Sequence, residues 1–228
     1  MPRIYKLSRA GLRLLYKIRH HRGHGIHSPF VFNLVTKVIE EKTPYYKYED
    51  IKYYIDNHPY VKCKITKYDR LSFRLTNYFG VRHILEIGSG NGVNTLFLTA
   101  PNKDMECVCI ETSSRKNEIA RKFYQDWDRN IALLTDTELP LLTQKQDCIF
   151  INLNEFKHLD NSIVSYIGSL SHEKTFIIVR GIRTNKHCKA LWKSIAAMDS
   201  RTALLDLFHI GIVFFDKSLY RWRYQISF

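Results

Sequence analysis

Acidic residues are absent from Met1 to Ile39, and no uninterrupted apolar run approaches the ~20 residues that span a bilayer. The second absence excludes a transmembrane helix. Arg13 interrupts Leu12–Tyr16, so the opening segment does not read as a secretory signal either. Glycine (10) and proline (6) are too scarce for a collagen-like or low-complexity chain. Cysteine is limited to Cys63, Cys107, Cys109, Cys148 and Cys188. The count is odd and no C-x-x-C pair occurs, which argues against a disulfide framework, a zinc knuckle or a thiol-exchange site. The expected compartment is reducing, the cytoplasm, with Cys107, Cys109 and Cys148 as small buried hydrophobes.

What is present is a 45% apolar share over 228 residues, enough for one folded domain plus an extension. Lys and Arg outnumber Asp and Glu by 35 to 22, a formal charge of +13. Arg3, Lys6, Arg9, Arg13, Lys17, Arg19 and Arg22 recur at spacings of mostly three and four. Ile4, Leu7, Leu14, Leu15 and Ile18 share that period on another face, so the spacing predicts a basic amphipathic helix. Such a helix suits an anionic membrane surface, a nucleic-acid backbone or a transit peptide. The plainest reading lays it on its own domain, basic face outward.

His20, His21, His24 and His27 follow. Gly23 and Gly25 break their spacing and no carboxylate or Cys lies near, so a metal site is not expected there. Ser28-Pro29 starts a helix with Val31, Leu34, Val35 and Val38 as its buried stripe, and Thr43-Pro44 is expected to end it. A Tyr/Lys-rich stretch comes next. Aromatics between cations can stack bases, but a short helix at about 48–56 with surface tyrosines is the simpler reading. A further helix is expected at about 68–79.

From His83 the pattern alternates. Apolar runs at 83–87, 105–111, 131–135, 147–153 and 174–179 are separated by helical stretches at about 92–100, 114–127, 159–171 and 185–198. Near-continuous apolar strands between helices mean a parallel sheet covered on both faces. Runs 201–208 and 210–216 are joined by His209 alone, which demands an antiparallel pair, and 222–228 reads as an added edge strand.

In such sheets ligands bind beyond the carboxyl ends of the strands. The first strand ends in Glu86-Ile87-Gly88-Ser89-Gly90-Asn91-Gly92, where glycine allows positive φ and close backbone approach. The second ends in Glu111, 23 residues after Gly88, where a carboxylate can accept from both hydroxyls of a ribose. The third ends in Asp136, placed to accept from an adenine amino group. The spacing G-x-G-x-G, with Val93 in place of a third-motif glycine, fits an S-adenosylmethionine site better than a dinucleotide site.

E-I-G-S-G-N-G with an acid on the next strand resembles the first motifs of class I S-adenosylmethionine-dependent methyltransferases. HGIHSPFVF (24–32), KYDRLSFRL (67–75) and DLFHIGIVFF (206–215) are similar to a bacterial group of small methyltransferases, typical of Bacteroidetes, related to the metal-dependent small-molecule O-methyltransferases. The resemblance implies an α/β fold with a Rossmann-like sheet of five parallel strands plus a C-terminal antiparallel hairpin. It implies a methyltransferase domain over 66–228 and a helical cap over 1–65. It assigns Glu86, Gly88, Gly90 and Gly92 to the methionine half of the cofactor, Glu111 to the ribose and Asp136 to the adenine, with Ser89, Asn91, Thr112 and Thr137 as further cofactor-binding residues.

The same resemblance places metal-binding carboxylates after the fourth and fifth strands, where this chain has Asn152 and Arg180-Gly181. One neutral amide does not neutralise a divalent cation and Arg180 repels it, so no catalytic metal is expected. His27, Asn152 and Arg180 are the expected catalytic residues, His27 as a base and Arg180 as the binder of an anionic acceptor. The expected function is methyl transfer from S-adenosylmethionine to a small molecule. The alternatives are a non-catalytic S-adenosylmethionine-binding protein and an RNA methyltransferase using the basic N-terminus. A homodimer is left open.

Overall fold

The computed structural model describes residues 26–59, 61, 63–135, 138–156 and 159–228. The expected basic helix, His20, His21, His24, Asp136 and Thr137 lie outside those residues. Among the described residues, no helix is long and apolar enough to cross a membrane.

One eight-stranded sheet organises the chain: β1 (His83–Ile87), β2 (Glu106–Ile110), β3 (Asn130–Leu134), β4 (Cys148–Asn152), β5 (Phe176–Arg180), β6 (Ala203–Asp206), β7 (Ile210–Phe214) and β8 (Trp222–Gln225). Their spatial order is β3-β2-β1-β4-β5-β7-β6-β8. β1 to β5 are mutually parallel. β7 runs antiparallel to both β5 and β6, and β8 lies parallel to β6 at the edge. The chain winds outward from β1 through β2 to β3, then returns to place β4 on the other side of β1. That reversal opens a crevice at the carboxyl ends of β1 and β4.

Period-two alternation assigns each strand residue to a face. Ile84, Cys107, Cys109, Cys148, Phe150 and Ile178 enter one core. Leu85, Ile87, Ile149, Ile151, Ile177 and Val179 enter the other. The first core is closed by α1 (Pro29–Leu34), a π turn (Val35–Ile39) and α3 (Lys67–Phe79). The second is closed by α6 (Ser162–Leu170) and α7 (Lys186–Ala196). A third cluster joins α2 (Tyr46–Asp56) to α4 (Val93–Thr99) and α5 (Ser114–Tyr124) through Ile51, Phe73, Phe97 and Phe123. Each such buried side chain contributes roughly 1.5–3 kcal/mol of transfer free energy. The described residues before position 65 thus share their cores with later elements, α1 and the π turn with the sheet and α3, and α2 with α3, α4 and α5.

The N-terminal helix starts as its sequence requires. Ser28 Oγ accepts from Val31 N at 3.4 Å, with Pro29 at the first helical position. It ends at Ile39 instead of at Thr43-Pro44, because Arg74 reaches across from α3. The buried guanidinium donates to the carbonyls of Val38 (2.5 Å) and Ile39 (3.2 Å), satisfying terminal groups that a longer helix would have used. The Tyr-rich segment forms α2. Tyr46 and Tyr53 are exposed, whereas Tyr48 is buried against Phe73.

Candidate functional site

The crevice between β1 and β4 has a cavity volume of about 240 Å³, just below the roughly 300–1,000 Å³ usual for small-molecule sites. Its floor is the glycine loop after β1. Gly88, Gly90 and Gly92 all have positive φ (81°, 61° and 86°). At Gly92 the requirement is doubled, since a Cβ there would lie 2.6 Å from the Tyr124 ring. Of the loop residues, Ser89, Gly90 and Asn91 line the crevice. Ser89 is 6% exposed, and its Oγ is the one buried side-chain polar atom without a hydrogen-bond partner among the described residues. An unsatisfied buried hydroxyl costs about 1–3 kcal/mol, so this one calls for a partner from the crevice, a ligand or a water.

Glu86 does not line the crevice. It is fully buried beneath the loop, where Asn94 Nδ2 donates to Oε1 (2.8 Å) and Thr95 Oγ1 to Oε2 (2.5 Å). Burial raises its pKa, opposed by these hydrogen bonds and one from Cys109 Sγ. Glu86 therefore braces the first turn of α4 and acts on the loop from below. Its oxygens and the thiols of Cys107 and Cys109 fall within 4.8 Å of one another, a donor set able to hold a metal ion. That cluster lies in the core and contributes nothing to the crevice lining.

Glu111 is also fully buried at the end of β2. Its Oε2 accepts from Gly90 N (2.7 Å) and its Oε1 from Ser113 N (2.9 Å), which ties the loop to the neighbouring strand. Like Glu86, Glu111 does not line the crevice, and both of its oxygens are engaged by backbone amides. Thr112, beside it, is half-buried. Opposite, Glu155 follows β4 and pairs with Lys116 of α5 across the loop. A Cβ at Gly90 would meet the Glu155 carboxyl carbon at 3.6 Å.

The far wall is built from β4, β5 and α3. Asn152 and Arg180 are register partners at the ends of their strands and both line the crevice. Asn152 Oδ1 accepts from Asn154 N at 3.2 Å. Arg180 Nη1 donates to Asp69 Oδ1 at 2.9 Å. Asp69 Oδ2 in turn accepts from Thr66 N and Thr66 Oγ1, each at 2.7 Å, in the capping box of α3. Lys64 and Cys63 complete this wall.

His27 is not brought to this site. It is exposed, and Phe30 nearby packs on Phe214 at 5.2 Å. Phe214 is the register partner of Phe176, at the opposite end of β5 from Arg180, ~13 Å away at ~3.3 Å per residue. His27, expected as a base, is not among the residues that line the crevice. Sequence reasoning gave no role to Asp69, Lys64, Asn154, Glu155 or Lys116. Only the Thr66-x-x-Asp69 capping box carried a local signal.

No protein-family profile matches the chain, and no curated protein matches it in sequence. Solved structures do match in shape. An O-methyltransferase from Bacillus cereus, in complex with S-adenosylhomocysteine (SAH), superposes with a TM-score of 0.55 at 18% identity, over 81% of this chain and 97% of that one. An SAH-bound methyltransferase from Podospora anserina gives 0.54 at 13% identity, over 94% and 97%. An O-methyltransferase of tomaymycin synthesis from Streptomyces achromogenes, in complex with S-adenosylmethionine, gives 0.51 at 13%, over 79% and 94%. The sheet order, the glycine loop at its reversal and these superpositions together give the chain the Rossmann-like fold of class I methyltransferases.

Proposed function

We propose that this chain is an S-adenosylmethionine-dependent methyltransferase acting on a small molecule, without a metal in the crevice. The observation that carries the reading is the unpaired, buried Ser89 hydroxyl on a positive-φ glycine loop at the point where strand order reverses. Three neighbours of the same fold hold S-adenosylmethionine or SAH. When bound, S-adenosylmethionine supplies an already electrophilic methyl group. The chain's part is then to fix the acceptor in line behind that methyl, which provides much of the rate. Ser89 and Asn91 would hold the methionine end. Asn152 and Arg180 face the acceptor side.

The donor set on that side does not suit a divalent cation, which seeks several oxygen ligands with negative charge. Asn152 is a neutral amide already engaged by Asn154, and Arg180 is a cation. A non-catalytic binding protein is the second reading. It is favoured by one observation: the two carboxylates lining the crevice, Asp69 and Glu155, are each paired with a cation.

Calorimetry with SAH on the wild-type chain and on Gly90→Trp tests the cofactor reading, with circular dichroism as the fold control. Binding by the wild type and its loss in the variant is expected. Equal binding in both, or none in the wild type, would overturn it. Release of SAH from S-adenosylmethionine in an acceptor screen with and without EDTA then separates enzyme from binder. Turnover that EDTA leaves unchanged is expected.

A further inference from the structure

We infer that the acceptor is an organic anion whose carboxylate or phosphate is held by Arg180, assisted by Lys64. The inference rests on the methyltransferase reading and names its substrate class. Arg180 stands at the carboxyl end of β5 beside Asn152 of β4, on the wall facing the glycine loop. Its side chain is a quarter exposed and its guanidinium is fixed from behind: Asp69 takes Nη1, and Thr66 and the first turn of α3 fix Asp69. The Tyr68 ring supports the guanidinium at 5.7 Å. No other side-chain hydrogen bond from Arg180 occurs among the described residues, so its remaining guanidinium donors are available in a fork suited to two oxygens.

Charge along the wall points the same way. Asp69, 5% exposed at its side chain, has both oxygens engaged, and Glu155 is neutralised by Lys116. Lys64 lines the same crevice and has no carboxylate partner among the described residues. The crevice therefore presents one pre-oriented guanidinium, one free ammonium and the amides of Asn152 and Asn154 to whatever lies opposite the cofactor. With Asp69 balancing Arg180 and Lys116 balancing Glu155, the net charge of the wall is that of Lys64, and an oxyanion pairs with it and with the spare guanidinium donors.

Binding of benzoate, phenyl phosphate and the neutral isostere benzamide to the full chain, with and without saturating SAH, tests the inference by calorimetry. At least one of the two anions is expected to bind and benzamide is not. Arg180→Met should weaken anion binding about tenfold or more, Arg180→Lys less, and Lys64→Met by about threefold. SAH binding should be unchanged in all three variants. Should Arg180→Met fail to fold, the Lys64→Met and Arg180→Lys pair still decides. Absence of anion binding to about 20 mM, equal binding of benzamide, or anion affinity unmoved by every variant would overturn the inference. Failure of SAH to bind the wild type would overturn the methyltransferase reading instead, and the SAH-free titrations would still judge the anion site.

Discussion

Two fully buried carboxylates sit on opposite wings of the sheet and are handled in opposite ways. Glu86, under the glycine loop, is held by the neutral donors Asn94, Thr95 and Cys109, and burial raises its pKa. Asp206, at the end of β6, is equally buried, but Arg183 donates to both oxygens at 2.7 Å and Arg223 donates to Oδ2 at 2.6 Å. Burial pushes the Asp206 carboxyl up, and these hydrogen bonds and charges outweigh it, so its pKa is lowered. The neutral donors come from the first turn of α4, eight and nine residues on, and from Cys109 of β2, 23 residues on. The ionic arrangement joins residues from separate elements and pins the β6–β7 turn, where Arg183 also donates to the carbonyl of Phe208, a non-glycine residue at φ 70°. The chain thus seats the carboxylate under the glycine loop on neutral donors, and the carboxylate beside the β6–β7 turn on ion pairs.

The ionic wing is the easier to break. Asp206→Asn should cost about 3 kcal/mol in urea unfolding, because it leaves the mostly buried Arg183 guanidinium facing a neutral amide, while Arg223, nearly half exposed, keeps its water. Gly92→Ala should cost about 2–4 kcal/mol, since the new methyl overlaps the Tyr124 ring in a left-handed backbone, and it should weaken SAH binding. Glu86→Gln should cost only about 1 kcal/mol, because the amide keeps the acceptor for Asn94 and Thr95 can reverse its hydroxyl toward Tyr124.

The pH dependence sharpens the contrast. A lowered folded pKa means that the Asp206 contribution is present above the unfolded value near 4 and is lost as pH falls through the folded pKa. A raised folded pKa means that the Glu86 contribution is full below its unfolded value and is lost as pH rises through the folded one. Wild-type stability should therefore fall below pH 4 more steeply than that of Asp206→Asn. The Glu86→Gln variant should lose less than the wild type between pH 4 and neutrality. Urea midpoints across pH check both, and parallel curves for all three proteins would remove the distinction.

Locality decides how much was legible beforehand. The strands and their parallel order were, because each is a continuous apolar run and the intervening helices fix the handedness of return. The glycine loop was, because its residues are consecutive. That Glu86 would brace the loop from beneath was not, since a Glu before a glycine motif looks the same whether it faces a ligand or α4. The wall opposite was the least legible. Arg180 and Asp69 are 111 residues apart, and no periodicity signals that a cap of α3 anchors the rim of β5. The N-terminal helix stopped early for the same reason, through Arg74 lying 35 and 36 residues away.

The smallest effect should come from the pair that most visibly spans the crevice. Lys116 and Glu155 are 38% and 27% exposed, against 25% and 5% for Arg180 and Asp69. Water and salt screen the first pair, and each long side chain loses rotamer freedom to make it, so its net worth is about 0–1 kcal/mol. The Glu155 backbone does not depend on Lys116, because Glu155 N donates to the carbonyl of Asn152 at 3.0 Å. Lys116→Met should therefore move the thermal midpoint by no more than ~3 °C. Asp69→Asn should move it further, since it breaks a nearly buried pair together with part of the Thr66 cap. If Lys116→Met proved the more damaging of the two, the ion pair over the glycine loop would be a structural clamp, and the division between a neutral loop and an ionic rim would not hold.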